Sequence, residues 1–341
     1  MYALTPYPIT PIGAFLGFVL AIAPLPLKLA RRNHGLYMYG VWIAAFNLQM
    51  FVNSVIWHDN TRVTAKVWCD IVTKIQIGAG YGVRGCSLAI CIRLYRITRM
   101  RVGAIRFQRG SCSFMTQLCI FLCQGVIIQP IRFNILEEYG CQATSFSYVF
   151  YPIAIVPQFI MSVASAVLAG LILRALLAHR REMVEQPASN SAIKPFQFKR
   201  LILIACLDTI FNFPIMIVGG IVQNALMGSK GGSSQPYVSW SNVHDGTSSW
   251  LAGETLSTIT QTPASSWSMN KWTVLNLKWN EWIYVAQAIL YFAVVGTTPE
   301  MGHFLRRVFC LSRNRYSDDG GDSEGGRKTL SSVIFRSSNS T

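Results

Sequence analysis

Blocks of about twenty apolar residues recur along the chain, and no other feature limits its fold so sharply. That is the length a helix needs to cross a hydrocarbon core of roughly 30 Å. Seven blocks can be delimited: Pro8 to Leu29, Leu36 to Trp57, Trp68 to Ile92, Ser113 to Ile131, Ser147 to Ala178, Leu201 to Met227 and Glu281 to Thr298. Barrel strands alternate in polarity and are half as long, so the blocks read as helices. The fourth is interrupted by Gln117, Gln124 and Gln129 and is kept as a span, because polar groups in lipid find partners inside the bundle. Composition agrees: half of the 341 residues are hydrophobic and 13% are charged, about half the charge of an ordinary soluble domain. The expected fold is an all-α membrane protein, a seven-transmembrane helix bundle.

Basic residues orient the bundle. Twenty-two of the thirty Lys and Arg fall between blocks one and two, three and four, five and six, or after seven, and seven fall on the other side. This bias predicts an external N-terminus and a cytosolic C-terminus. The net charge of +15 is thereby a topology signal that calls for no nucleic-acid partner. No basic residue precedes Lys28 and no small-residue cleavage site follows a short apolar core, so the first block reads as a retained span.

Several functions are disfavoured. A retinal protein needs a lysine inside the seventh span, and the nearest, Lys278, is placed outside it. Histidines 34, 58, 179, 244 and 303 fall near or beyond the membrane boundaries, which argues against metal catalysis, and no catalytic constellation or cofactor motif is present. A transporter should show broken helices at corresponding positions of two repeats; "APLP" at Ala23 to Pro26 breaks the first block without a counterpart. The transporter remains the alternative from another class.

Five cysteines, Cys86, Cys91, Cys119, Cys123 and Cys206, lie within blocks, where cysteine acts as a small apolar residue. Cys69 in "VWCD" and Cys141 in "EEYGCQ" fall outside, in an oxidising compartment, and are expected to form a disulfide tying the loop between spans four and five over the bundle mouth.

The runs "GLYMYGVWIAAFNLQMFVNSVIWHDN", "VWCDIVTKIQIGA", "IRLYRI", "ILEEYGC", "CLDTIFNFPIMI" and "PYVSWSNVHDG" together resemble the fungal lipopeptide mating-pheromone receptors of basidiomycete-like type, seven-helix receptors for farnesylated a-factor-type peptides. The resemblance covers residues 10 to 310. It implies a multi-pass plasma-membrane receptor that binds a farnesylated peptide pheromone and activates a heterotrimeric G protein feeding a mating kinase cascade. A divergent homologue with another ligand is the alternative within the class. The candidate ligand contacts are Arg84, Gln76, Trp68, Glu138, Trp240 and His244. Five of nine tryptophans (240, 250, 267, 272 and 279) lie in the long segment from Gly228 to Asn280; interfacial anchoring and a lid for a greasy peptide both account for them.

Arg84 stands inside the third block, where a central arginine costs on the order of 3 kcal/mol. Counting from the cytosolic boundaries, Arg84 lies nine residues above Arg93 and Asp208 eight above Arg200, so both sit roughly 12 to 14 Å from the inner face at 1.5 Å per residue. Pro214 kinks span six just above Asp208. An Arg84–Asp208 ion pair holding the resting state is one expectation; a hydrated cavity or a ligand contact are the others. The family commonly carries proline or a small residue at the Arg84 position, so such a lock would be particular to this chain.

At the cytosolic side, Arg93, Tyr95 and Arg96 in "RLYRITRMR", with Arg180, Arg181, Lys199 and Arg200, are the candidate G-protein contacts, and headgroup anchoring is the competing role for the arginines. "GHFLRRVFC" from Gly302 has the spacing of an in-plane helix on membrane lipid, and Cys310 ends it as a candidate lipidation site. Residues 1–310 are accordingly read as the receptor domain and residues 311–341, Gly- and Ser-rich, as a disordered cytosolic tail.

Overall fold

The computed structural model describes residues 5–99, 129–178, 235–245, 253–297 and 301–302. The chain divides into two units, Met1–Thr298 and Pro299–Thr341, and the second is described only at residues 301–302. Expected spans one, two, three, five and seven fall largely within the described residues. Residues 113–128 of the fourth and all of the sixth lie outside them.

Helix α1 runs Ile9–Ile22 and stops short of the expected Leu29. Pro24 and Pro26 follow at once; proline donates no backbone hydrogen bond and disfavours helix in the residue before it. A short α2, Lys28–Arg32, takes up the remainder. Helix α3, His34–Ile56, starts where the Asn33 side chain accepts from the Leu36 N–H, an N-cap that satisfies one of the first turn's free donors. Helix α4 is Lys66–Arg99, longer at both ends than the apolar block that predicted it. Helix α5, Val156–Ala178, is entered through a π turn, Tyr151–Ile155. Short helices α6, Trp240–His244, and α7, Ala264–Trp267, precede α8, Lys271–Tyr291, which continues as a π turn to Gly296. Helix α3, residues Lys66–Arg96 of α4 and residues Tyr151–Ala175 are long and apolar enough to cross a membrane.

Small residues let these helices approach closely, as they do where no aqueous hydrophobic effect drives association. A Cβ on Gly82 of α4 would lie 2.3 Å from the Trp42 indole of α3. One on Gly40 of α3 would lie 2.7 Å from the Tyr291 hydroxyl of α8. Helix α5 is attached differently. Pro157 lacks the N–H that an α-helix would direct at the Ile153 carbonyl, and the Tyr81 hydroxyl of α4 reaches across to Ile153 O at 2.8 Å and Ala154 O at 3.0 Å. One phenol thus offsets a defect that proline and the π turn create.

The described part departs from the all-α expectation in one three-stranded sheet. Strands β1, Phe133–Leu136, and β2, Gly140–Gln142, form an antiparallel hairpin, and β3, Ile259–Thr262, joins β1 in parallel. The sheet lies across one end of the bundle, where Phe133, Ile135 and Cys141 cluster with Trp57, Cys69 and Val72. Backbone buried over a bundle mouth must pair its N–H and C=O groups, and strand addition from a distant loop supplies the partners.

The sheet end of the bundle as candidate ligand site

Three amide side chains on the apolar helix α3, Asn47, Gln49 and Asn53, are fully buried. Buried amides need partners, and those of Gln49 and Asn53, four residues apart on one helix face, draw the hairpin onto the bundle. Asn53 Nδ2 donates to Tyr139 O at 3.2 Å and to Gln49 Oε1 at 3.4 Å, and Trp68 Nε1 donates to Asn53 Oδ1 at 3.0 Å. Gln76 Nε2 donates to Gln49 Oε1 at 3.2 Å and to Cys141 O at 2.8 Å. Gln49 Nε2 is buried with no hydrogen-bond partner. Gly140 has φ +83°, and a Cβ there would meet Asn53 at 2.7 Å, so both conformation and space require glycine.

Cys69 and Cys141 are joined in a disulfide with a Cα–Cα distance of 5.3 Å, which fastens the start of α4 to β2. Beside it Arg132 grips Asp70 through both arms, Nε to Oδ1 at 2.9 Å and Nη2 to Oδ2 at 2.5 Å. Hydrogen bonding to the Asp70 carboxylate, with its charge, raises the Arg132 pKa above its ordinary value, as expected of a charge-assisted two-armed pair.

The hairpin turn carries Glu138 at φ +70°, with its N–H donated to Trp57 O at 2.7 Å. Its carboxylate meets Lys278 of α8 at 3.3 Å, and Lys278 also pairs with Glu281 at 2.9 Å. Glu281 in turn accepts from the Thr10 hydroxyl of α1. Burial pushes the Glu138 pKa up, and the Lys278 charge opposes that shift without cancelling it. Lys278, expected outside the seventh span, stands on the part of α8 that precedes that block. A hydropathy scan reads its charge as a helix end, whereas here two carboxylates satisfy it.

Of the expected ligand contacts, Trp68, Gln76 and Glu138 converge on this hairpin. Trp240 and His244 form a separate pair on α6: their rings stack at 3.8 Å, and His244 Nδ1 lies 2.8 Å from Trp240 O, so Nδ1 carries the proton. Val243 packs with Phe146 beneath them. Arg84 stands two turns below Gln76 on α4, donates to Gly80 O, and neighbours the Gln158 amide of α5 across Gly80. Asp208, its expected partner, lies outside the described residues.

At the far end of α4, Arg93 donates to Arg32 O at the end of α2 at 3.0 Å, a cation on the last carbonyls of a helix. Arg96 is exposed and Tyr95 partly so. Arg180, Arg181, Lys199, Arg200 and Cys310 lie outside the described residues. Sequence reading passed over Gln49, Asn53 and Glu281; the signal was present as amides four apart within "FNLQMFVNS".

Apolar helices long enough to span, polar side chains turned inward and a disulfide-tethered sheet over one end point to a helical membrane protein. A family model described as Pheromone A receptor matches residues 9–313, and the chain belongs to that family. It is 33% identical over 295 residues to the Pheromone B alpha 2 receptor of Schizophyllum commune, covering 86% of this chain and 44% of that protein. It is 29% identical over 312 residues to Pheromone receptor 1 of Mycosarcoma maydis, covering 88% and 83%. It is 25% identical over 311 residues to the Pheromone a factor receptor of Saccharomyces cerevisiae, covering 86% and 60%. The chain thus spans less than half the length of the Schizophyllum commune relative.

Proposed function

We propose that the chain is a plasma-membrane receptor with seven spans, its sheet end and N-terminus outside, that recognises a farnesylated peptide pheromone and activates a heterotrimeric G protein. The family match over residues 9–313 carries this reading. Trp68 and Gln76 join Gln49 and Asn53 in one buried hydrogen-bonded group beneath the hairpin, in which Gln49 Nε2 is left without a partner; with Glu138 on the hairpin turn, and Trp240 and His244 on α6, these are the residues assigned to the ligand. Arg84, two turns further along α4 from Gln76, meets Asp208 as a resting ion pair, a hydrated cavity or the ligand. Arg93, Tyr95, Arg96, Arg180, Arg181, Lys199 and Arg200 form the transducer surface, within which Arg93 also positions α2. Residues 1–310 form the receptor domain, ending in an in-plane helix lipidated at Cys310, and residues 311–341 form a disordered cytosolic tail.

The test is expression in a fungal cell that lacks its own receptor and carries a G-protein-driven reporter, with surface delivery verified and farnesylated peptides applied beside their unprenylated forms. Activation confined to a prenylated peptide supports the reading. Silence from a well-delivered receptor, including with exchanged G-protein subunits, overturns it.

A further inference from the structure

From Ala143 to Leu173 the chain has no charged residue, and neither has the run Gln235 to Asn242. The fold places these two stretches side by side: the Tyr148 N–H donates to Gln235 O at 2.9 Å, and Val243 of α6 is buried against Phe146. Tyr148, Pro152, Val156 and Ile160, each four residues from the next, are all exposed. Repeated steps of four drift around an α-helix in one sense. Tyr148 stands in the turn just before the helix, Pro152 lies in the wider π turn Tyr151–Ile155, which holds that drift back, and Val156 and Ile160 follow on α5, so exposed apolar side chains continue from the helix's entry onto its outer side. At that entry the neighbouring run adds Tyr237, Val238 and Trp240, with Val238 72% and Trp240 46% exposed.

A surface this apolar and this continuous has one ready occupant. Its lower part belongs to a helix long and apolar enough to cross a membrane, whose exposed side faces acyl chains. Its upper part carries two tyrosines and a tryptophan, the side chains that favour the headgroup layer. This surface then ends at the Trp240–His244 stack.

We propose that Tyr148, Tyr237, Val238 and Trp240 are seated in the outer leaflet and form a ramp along which a lipid-modified ligand slides from the bilayer to α6, entering the receptor sideways instead of from above. The proposal rests on the pheromone reading for its ligand and on the chain's own surface for its membrane seat. The two are separable.

The seat is tested on the full chain in lipid nanodiscs containing nitroxide lipids with the spin label near the headgroup. A fluorophore attached through Val238→Cys is expected to be quenched several-fold more than one attached through Asp59→Cys, which lies on a different, charged loop. Equal quenching at the two positions overturns the proposal. The route is tested in the reporter cell with farnesylated peptides. Val238→Asp is expected to reduce potency at least tenfold at equal surface delivery, with Val238→Leu restoring it. A responsive wild type whose potency Val238→Asp leaves unchanged overturns the route alone. A wild-type receptor silent to every farnesylated peptide overturns the pheromone reading, and the route with it.

Discussion

Helices α3 and α5 have the same number of residues and opposite relations to the rest of the molecule. In its most apolar stretch α3 is 56% buried within the protein, and α5, the more apolar of the two, is 22% buried. In water the ranking would be reversed. In lipid an apolar side chain gains little by leaving the solvent, whereas an amide or hydroxyl gains a partner by turning inward. Helix α3 is therefore locked by Asn47, Gln49, Asn53 and the indole contact at Gly82, whereas α5 packs along α4 and its π-turn entry is held by the Tyr81 hydroxyl. Apolarity identifies the spans; polarity within them identifies the core.

Loss of the disulfide should break this contrast most. Cys141→Ser, which frees the hairpin from α4, is expected to cost about 2–5 kcal/mol, read as thermal unfolding in nanodiscs and as reduced surface delivery. Gly82→Ala drives a methyl into the Trp42 ring and should cost about 1–3 kcal/mol by overpacking; delivery unchanged from wild type would show that the α3–α4 contact is not rigid. Tyr81→Phe leaves the Ile153 and Ala154 carbonyls without their donor and should cost about 1–2 kcal/mol, with increased hydrogen exchange confined to residues 151–157.

Glu138→Gln sharpens the sheet-end half of the comparison through pH. Its folded pKa is raised by burial, so between the ordinary carboxylate range and that raised value the folded state binds more protons than the unfolded one. Stability should fall as pH rises through this window and level off above it. Glu138→Gln should remove that part of the slope in a series of unfolding temperatures. Ile160→Leu, on the lipid-facing side of α5, should change stability by less than about 0.5 kcal/mol.

The spans were legible because their length is imposed by the bilayer and appears as uninterrupted hydropathy. The ends of the helices were less so. Helix α8 begins at Lys271, ten residues before the apolar block, because a helix can continue outside the apolar run; a hydropathy window registers Lys278 and Asn280 as the end of the block but not that Glu138 and Glu281 partner Lys278 on that extension. The break that "APLP" predicts in the first block is present, with the helix stopping at Ile22 because prolines cannot continue it; only the block's expected end at Leu29 overran the helix. The sheet had no readable signal: "FNIL", "GCQ" and "ITQT" are too short to establish a period of two, and β3 is specified by its pairing with β1 more than by its own residues. The stack of Trp240 on His244 followed from no spacing rule beyond the four residues between them.

The parallel pairing of Phe133–Leu136 with Ile259–Thr262 also bears on how the protein is made. A ribosome delivers β1 and β2, with Cys69 already available, more than a hundred residues before β3 exists. Throughout that interval the edge of β1 that β3 will occupy presents unpaired backbone groups, an invitation to wrong strands. Non-local pairing of this kind is slow to form. Quality control in the secretory pathway would therefore meet a nascent receptor whose cap is half built, and damage to the third strand would register as retention before delivery, not as a faulty response at the cell surface.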